Sequence, residues 1–184
     1  AIGYEALTAN TTGANNTALG HSALDTNTTG SNNTGVGYRA LDANTTANDN
    51  TALGYAALGA NTTGTNNVGV GGSALTKNTT GNYNTAVGMW ALEDNTTGTK
   101  NTGLGYFALG NNTTASSNTA VGYIALAYNT TGTENTSVGE QALEDNTTGS
   151  YNTAMGFQAL EHNNGNYNSA FGKWALESNT TGND

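Results

Sequence analysis

Few side chains in this sequence of 184 residues could carry out acid–base, nucleophilic or metal chemistry. It contains two His, 13 acidic residues, four basic residues and no Cys. His21 and His162 occur once each in unrelated contexts, and no Gly-x-Ser-x-Gly, His-Glu-x-x-His or phosphate-binding glycine loop is present. We therefore predict no catalytic residue, no metal site and no cofactor, and we do not expect an enzyme.

Charge and hydropathy exclude two further classes of partner. The formal net charge is −9, which disfavours binding to nucleic acid. No apolar run reaches the length of a membrane span, so we expect no membrane insertion. Acidic residues recur after an Ala-Leu pair, as at Asp25 and Asp42. They lack the spacing of a calcium-binding β-roll and are typical of a solvated edge that discourages aggregation.

The most frequent polar motif is Asn-Thr-Thr, which has two interpretations. It is a formal N-glycosylation sequon, and Asn10, Asn27 and Asn179 are candidate attachment sites. In the favoured interpretation the Asn side chains stack and bond to one another along a fibre axis. The predicted structural ladder, called the ladder Asn row below, comprises Asn27, Asn44, Asn61, Asn78, Asn95, Asn112, Asn129 and Asn146.

Aromatic side chains recur just after a repeated Gly and also allow two interpretations. An exposed row of rings could stack on sugar rings of a surface carbohydrate, or the rings could cover a thin core and stack on one another, which we favour. The candidate surface-binding residues are Tyr38, Tyr55, Trp90, Tyr106, Phe107 and Tyr123.

These residues are placed by a repeat of 17 residues, Asn-Thr-Ala-apolar-Gly-x-x-Ala-Leu-x-x-Asn-Thr-Thr-Gly-x-x, which covers the whole chain. The unit that begins at Asn152 is one residue short. Neither end carries a distinct cap, whereas solenoid arrays normally have atypical terminal repeats. We therefore predict one continuous array over residues 1–184, as a segment of a longer chain.

The repeat favours an all-β fold and excludes a helical one. Gly, Asn and Thr-Thr at fixed places are poor helix formers, and three short segments alternate with Gly-centred or polar corners. This pattern is typical of a single β-solenoid, a parallel β-helix or β-roll with one coil per repeat. We predict about eleven coils, stacked about 4.8 Å apart. The Gly rows that include Gly20 and Gly30 are both expected to supply corners with positive φ.

A coil of this composition has little hydrocarbon to bury, so we expect neighbours to contribute. Leu19 and Leu24 are the predicted buried apolar residues of one coil. We expect self-association into a homo-oligomer or a polymer. The predicted interface is a flat face of small residues, formed by Ala18, Ala23, Gly35, Ala40, Ala57, Ser137 and the corner Gly row that includes Gly20.

Regular Thr rows suggest ice binding as an alternative function, because flat Thr-lined solenoid faces can order water. The recurring Thr pair is adjacent, so strand alternation should turn one side chain inward and one outward. A face with two outward rows would also need Thr17, Thr34 and Thr51 on the same side.

The motif Asn-Thr-Ala-[Val/Leu]-Gly-x-x-Ala-Leu-x-x-Asn-Thr-Thr-Gly, as in residues 84–98 and 118–132, resembles repeats of bacterial and phage tail-fibre-like surface proteins. Its Ala-[Val/Ile]-Gly-x-x-Ala core is similar to the head repeats of trimeric autotransporter adhesins, which form a left-handed parallel β-roll. The resemblance implies an extracellular, cell-surface or virion fibre, filament or fibrous adhesin, and it implies assembly as a trimer. A carbohydrate-binding tail-fibre shaft is a further alternative.

Overall fold

A computed structural model describes residues 1–182 and shows a single parallel β-solenoid without a helix in that part of the chain. Each 17-residue coil contributes one three-residue strand. The strands are β1 (Thr17–Leu19), β2 (Thr34–Val36), β3 (Thr51–Leu53), β4 (Val68–Val70), β5 (Thr85–Val87), β6 (Thr102–Leu104), β7 (Thr119–Val121), β8 (Thr136–Val138), β9 (Thr153–Met155) and β10 (Ser169–Phe171). The predicted all-β solenoid fold is thus confirmed.

The strands form one sheet in chain order, and every pair is parallel. Register follows the repeat, since Thr17 pairs with Thr34 and Leu19 with Val36. An isolated bridge between Ile2 and Leu19 extends the sheet by one partial coil. Ten strands enclose about nine turns. The predicted eleven coils are too many because that count included the partial coils at both ends.

Only the first of the three short segments in each repeat is a strand. The Ala-Leu segment bends because residues within and next to it are left-handed, with φ of 55° at Ser22 and 54° at Leu24. Backbone bonds between coils nevertheless continue there, as the Leu24 N–H donates to the Ala40 carbonyl at 3.0 Å. The Thr28 N–H likewise donates to the Thr45 carbonyl at 2.8 Å. Parallel stacking therefore holds all sides of the coil together, although only one side has strand geometry.

The core is narrow and built from small residues. In a typical coil the middle residue of the strand, Ala52, and the Ala57-Leu58 pair are fully buried. The buried Leu of each coil stacks on the Leu of the next to form one continuous hydrophobic cluster along the rod. One Leu and two small side chains per coil are too little apolar surface for an isolated coil, so stability depends on stacking.

The prediction that Leu19 is buried is wrong, because β1 turns its middle residue Ala18 inward. Successive strand residues alternate between faces, so Thr17 and Leu19 both face outward and Leu19 is 45% exposed. The predicted interface of small residues is also wrong. Its Ala and Ser members and Gly35 lie inside the rod, where Ala23 is 0% exposed and Ala18 is 3% exposed, and only the corner Gly row, as at Gly20, is half-buried. Alternation therefore exposes the apolar residues and buries the small ones.

A matched pair of Leu variants should separate the buried and exposed rows. Leu109→Ala removes a side chain that is 0% exposed and should cost about 2–5 kcal/mol of stability. Leu104→Ala removes one that is 44% exposed and should cost under about 1 kcal/mol in the monomer. Urea denaturation followed by circular dichroism measures both. Equal losses at concentrations where the chain is monomeric would show that the outer Leu is buried within the rod.

The two Gly rows differ in backbone conformation. Gly20 and its equivalents have φ between 121° and 142°, a region that L side chains rarely adopt. The row that includes Gly30 has no positive φ, so the expectation of a second left-handed Gly corner is wrong. Ala47 and Ala115 occupy the equivalent places in that row, which is consistent with an ordinary backbone conformation there.

Candidate functional site

The ladder Asn row forms a chain of side-chain hydrogen bonds inside the rod. The Asn44 amide Nδ2 donates to Asn27 Oδ1 at 2.8 Å and also to the Ala47 carbonyl of its own coil at 3.2 Å. From Asn10 to Asn146 the ladder N···O distances are 2.8–3.1 Å. Each amide therefore both shapes its own turn and bonds to the neighbouring coil.

A second Asn row, which sequence reasoning did not identify as a ladder, opens each repeat. We call it the opening Asn row. The Asn50 backbone N–H donates to Asn33 Oδ1 at 3.0 Å, and Asn50 Nδ2 donates to the Gly64 carbonyl at 2.8 Å. The sequence could have indicated this second ladder, because an Asn opens every repeat. The row comprises Asn16, Asn33, Asn50, Asn67, Asn84, Asn101, Asn118, Asn135, Asn152 and Asn168.

The two Asn rows converge on one carbonyl in each coil. The Gly81 carbonyl accepts from Asn67 Nδ2 at 2.8 Å and from Asn78 Nδ2 at 3.1 Å. Both Asn side chains are 0% exposed. Buried amides need such partners, since an unsatisfied buried polar group costs about 1–3 kcal/mol. The Asn rows therefore act as a polar core beside the narrow apolar one.

The adjacent Thr residues differ in exposure, but neither enters the core, because their segment lacks strand geometry. The hydroxyl of the first, Thr79, donates to the Thr96 carbonyl in the next coil at 3.0 Å. The second, Thr80, is exposed. Thr17, Thr34 and Thr51 also face outward, on the sheet face.

The short coil interrupts the ladder Asn row. Asn146 Oδ1 is buried without a hydrogen-bond partner, and Asn163 Nδ2 donates only to the Gly165 carbonyl, at 3.0 Å. The ladder resumes where Asn179 Nδ2 donates to Asn163 Oδ1 at 3.0 Å. Loss of one residue therefore shifts the Asn163 amide out of line with the coil before it.

The candidate glycosylation sites use their amide nitrogens in the fold. Asn27 is 0% exposed, so its nitrogen cannot carry a glycan in the folded rod. Asn10 Nδ2 donates to the Gly13 carbonyl at 3.0 Å, and Asn179 Nδ2 to the Gly182 carbonyl at 3.4 Å. A glycan at Asn10 or Asn179 would compete with those turns.

The candidate aromatic residues form two stacks on the surface. In the first, Tyr38 and Tyr55 are parallel with centroids 5.4 Å apart. In the second, Tyr106 stacks on Tyr123 at 5.2 Å and meets Trp90 edge-on at 5.3 Å. No sugar ring fits between rings this close, so a sugar could stack only at the end of a stack.

Phe107 does not join either stack. Its ring meets Tyr128 edge-on, with centroids 6.3 Å apart. Gly72 and Met89 stand at the equivalent places between the two stacks. The six aromatic candidates therefore form two separate exposed groups with Phe107 beside the second.

Ion pairs lie on the surface between neighbouring coils or within a turn. The Lys77 ammonium lies 2.6 Å from Asp94, and His162 Nδ1 lies 2.7 Å from Asp145. Arg39 is bound to Asp42 at 2.6 Å beside an open depression at Gly59. Because these two charges neutralise each other, the depression offers no free charged group to a ligand.

His162 provides a pH-dependent reporter of stacking between coils. Its hydrogen bond with Asp145, and then the charges of Glu161, Asp145 and Glu177, raise the pKa of His162. A raised folded pKa means that the pair stabilises the rod at low pH and loses this effect as pH rises through that pKa. NMR titration should give a His162 pKa above the ordinary value of about 6.5. Asp145→Asn should lower it, and an unchanged pKa would contradict the pairing.

Two acidic side chains, Glu93 and Glu144, are half-buried. Burial, followed by the charge of Asp94, raises the pKa of Glu93. Burial also raises the pKa of Glu144. Within residues 1–182, no group of three or more His, Asp or Glu side chains could hold a metal ion, and no helix is long and apolar enough to cross a membrane.

No protein-family model, curated protein or solved structure matches this chain. The functional assignment therefore depends on the ladders, the exposed rows and the continuity of the rod.

Proposed function

We propose that the chain is a structural rod segment of an extracellular fibre, filament or fibrous adhesin. The observation that carries this proposal is the ladder Asn row, which links coil to coil by an unbroken series of hydrogen bonds from Asn10 to Asn146. Such bonding along one axis gives stiffness and resistance to unfolding. These are properties of the whole rod and need no individual binding site.

The contacts between coils are the same along most of the rod, which supports a structural role. In a typical coil the Asn78 amide, the Asn84 backbone N–H and the Thr79 hydroxyl each bond to a neighbouring coil. Backbone bonds and the stacked Leu side chains add to these links. Because each coil binds its neighbours in the same way, length can grow by adding repeats without a new fold.

The extracellular position is proposed from the resemblance to surface-fibre repeats. Electron microscopy of the native material, with protease treatment of intact cells or virions, tests the position and the shape together. The proposal predicts thin, straight filaments or shafts that are accessible from outside. A compact particle, or protein that is accessible only after lysis, would contradict it.

Carbohydrate binding by a fibre shaft is a second candidate, favoured by the exposed aromatic stacks. The ring face of Tyr55 or Tyr123 that points away from its stack is the place where a sugar could pack. Glycan arrays should then show binding that is lost in the combined Tyr106→Ala, Phe107→Ala and Tyr123→Ala variant. Unchanged binding would count against this candidate.

Ice binding is the remaining candidate, and the outward Thr of the sheet face favours it. Thr34 and Thr51 pair directly in neighbouring strands, which gives a regular row. The neighbouring outward row is apolar and of mixed size, with Val36 beside Leu53, and so lacks a second Thr lattice. A structural rod should show no thermal hysteresis, whereas clear hysteresis would support ice binding.

A further inference from the structure

The outward face of the ten-stranded sheet carries two rows that no other part of the structure covers. One is the outer apolar row, which ends each strand. The other, called the strand Thr row, begins each strand and comprises Thr17, Thr34, Thr51, Val68, Thr85, Thr102, Thr119, Thr136, Thr153 and Ser169. Side chains of the outer apolar row are 45% exposed at Leu19, 47% at Leu53 and 44% at Leu104. The outer apolar row comprises Leu19, Val36, Leu53, Val70, Val87, Leu104, Val121, Val138, Met155 and Phe171.

Composition distinguishes this face from the rest of the surface. All ten strands end in an apolar residue that faces outward, and none of their residues is charged. Outside the sheet face, the exposed second Thr of each Asn-Thr-Thr segment, such as Thr80, also stays uncharged, and the freely varying positions hold all the charges of a chain with net charge −9. An outward row that stays apolar in every coil indicates contact with something other than water.

From these observations we infer that a second copy of the chain packs face to face on this sheet. The inference extends the proposed structural role by naming the partner of the rod, and it rests on that role. Two identical acidic rods repel each other through their charges. Pairing through an uncharged face keeps those charges at the sides of the pair, away from the contact. A copy of this chain also brings a face of the same length and composition.

The area of the sheet face is of the order of the area that a stable pair of chains buries. Ten strands of three residues, with about 4.8 Å between strands and about 3.3 Å per residue, give a plan area of about 500 Å². The outward side chains raise the accessible area above this figure. A standard interface buries about 800 Å² per partner, so full overlap of two copies is of the required order.

Symmetry selects the relative direction of the two rods. A twofold axis along the rods would make them parallel and place the strand Thr row over the partner's outer apolar row. A twofold axis along the strands makes the rods antiparallel, so that the apolar row meets the apolar row and Thr meets Thr. The second arrangement buries hydrocarbon against hydrocarbon and closes as a dimer. We therefore assign the antiparallel pair.

The pairing is tested first by the oligomeric state of the whole chain. Sedimentation equilibrium should show a dimer, and Val121→Glu in the outer apolar row should weaken dimerisation at least tenfold. Thr131→Glu is the matched control, because Thr131 is exposed outside the sheet face and its charge should leave dimerisation unchanged. Circular dichroism checks that both variants keep the fold. A monomer at all accessible concentrations, or equal weakening by both variants, would overturn the inference.

The direction of pairing is tested on the otherwise unaltered chain with spin labels, since the sequence has no Cys. In an antiparallel dimer β2 lies across β9 and β5 lies across β6. Labels at Thr34→Cys should then be about 35 Å apart, and labels at Thr85→Cys about 10–15 Å apart. Short distances at both sites would show parallel rods and overturn the assignment. A rigid extracellular rod that stays monomeric would overturn pairing while leaving the proposed function intact.

Discussion

Gly71→Ala is expected to destabilise the rod by about 3–6 kcal/mol, through backbone strain and overlap. Gly71 has φ of 130°, where an L side chain is strained. A Cβ atom there would lie 2.5 Å from the Gly88 carbonyl oxygen. That oxygen belongs to the backbone of the next coil and cannot rotate away, so the two coils would have to separate. Urea denaturation followed by circular dichroism measures the loss.

The neighbouring residue supplies the control for this prediction. A Cβ atom at Gly72 would meet only the Met89 Cγ atom, 4.0 Å away. Gly72→Ala should therefore be neutral, or stabilise by about 0.4–1 kcal/mol through the unfolded chain. Equal effects of the two variants would show that the corner is not pressed against the next coil.

Asn78→Ala is the second substitution with a large expected effect, about 3 kcal/mol of lost stability. The Asn78 side chain donates to Asn61 Oδ1 at 2.8 Å and to the Gly81 carbonyl at 3.1 Å. Its own oxygen accepts from Asn95 Nδ2 at 2.8 Å. Alanine leaves a cavity and an unsatisfied Asn61 oxygen in the interior. The same denaturation experiment reports the cost.

Asn111→Ala is the matched control for the ladder substitution. Asn111 is half-buried, and its place in the repeat holds Ala at positions 43 and 60. Its replacement should change stability by no more than about 0.5 kcal/mol. If Asn78→Ala were equally mild, the ladder would contribute little to the rod.

Much of the fold could be predicted because the repeat fixes one backbone conformation for every coil. The ladder Asn residues recur at one place in a repeat of 17 residues, and only in-register stacking places identical amides above one another. The exposure of one Thr of each pair, Thr80, could also be predicted, although Thr79 bonds to the backbone of the next coil instead of entering the core.

The direction in which each side chain points was harder to predict. A strand of Thr-Ala-Leu is compatible with either face inward, and the larger Leu19 suggested burial. The structure buries Ala18 instead, because the left-handed Ala-Leu segment already places Leu24 in the narrow interior. That segment puts non-Gly residues at positive φ, for which local sequence preferences give no signal. Burial of Ala18 in turn leaves the outer apolar row on the surface.

Identical Asn side chains stack at intervals of one repeat in this solenoid, and NMR contacts between their amide protons are the sharpest test of that stacking. Nuclear Overhauser effects should link the side-chain amides of Asn61 to Asn78 and of Asn78 to Asn95. They should be weak or missing between Asn146 and Asn163, where the ladder is interrupted. Contacts at a different sequence interval, or none between these amides in the folded protein, would contradict the stacked solenoid.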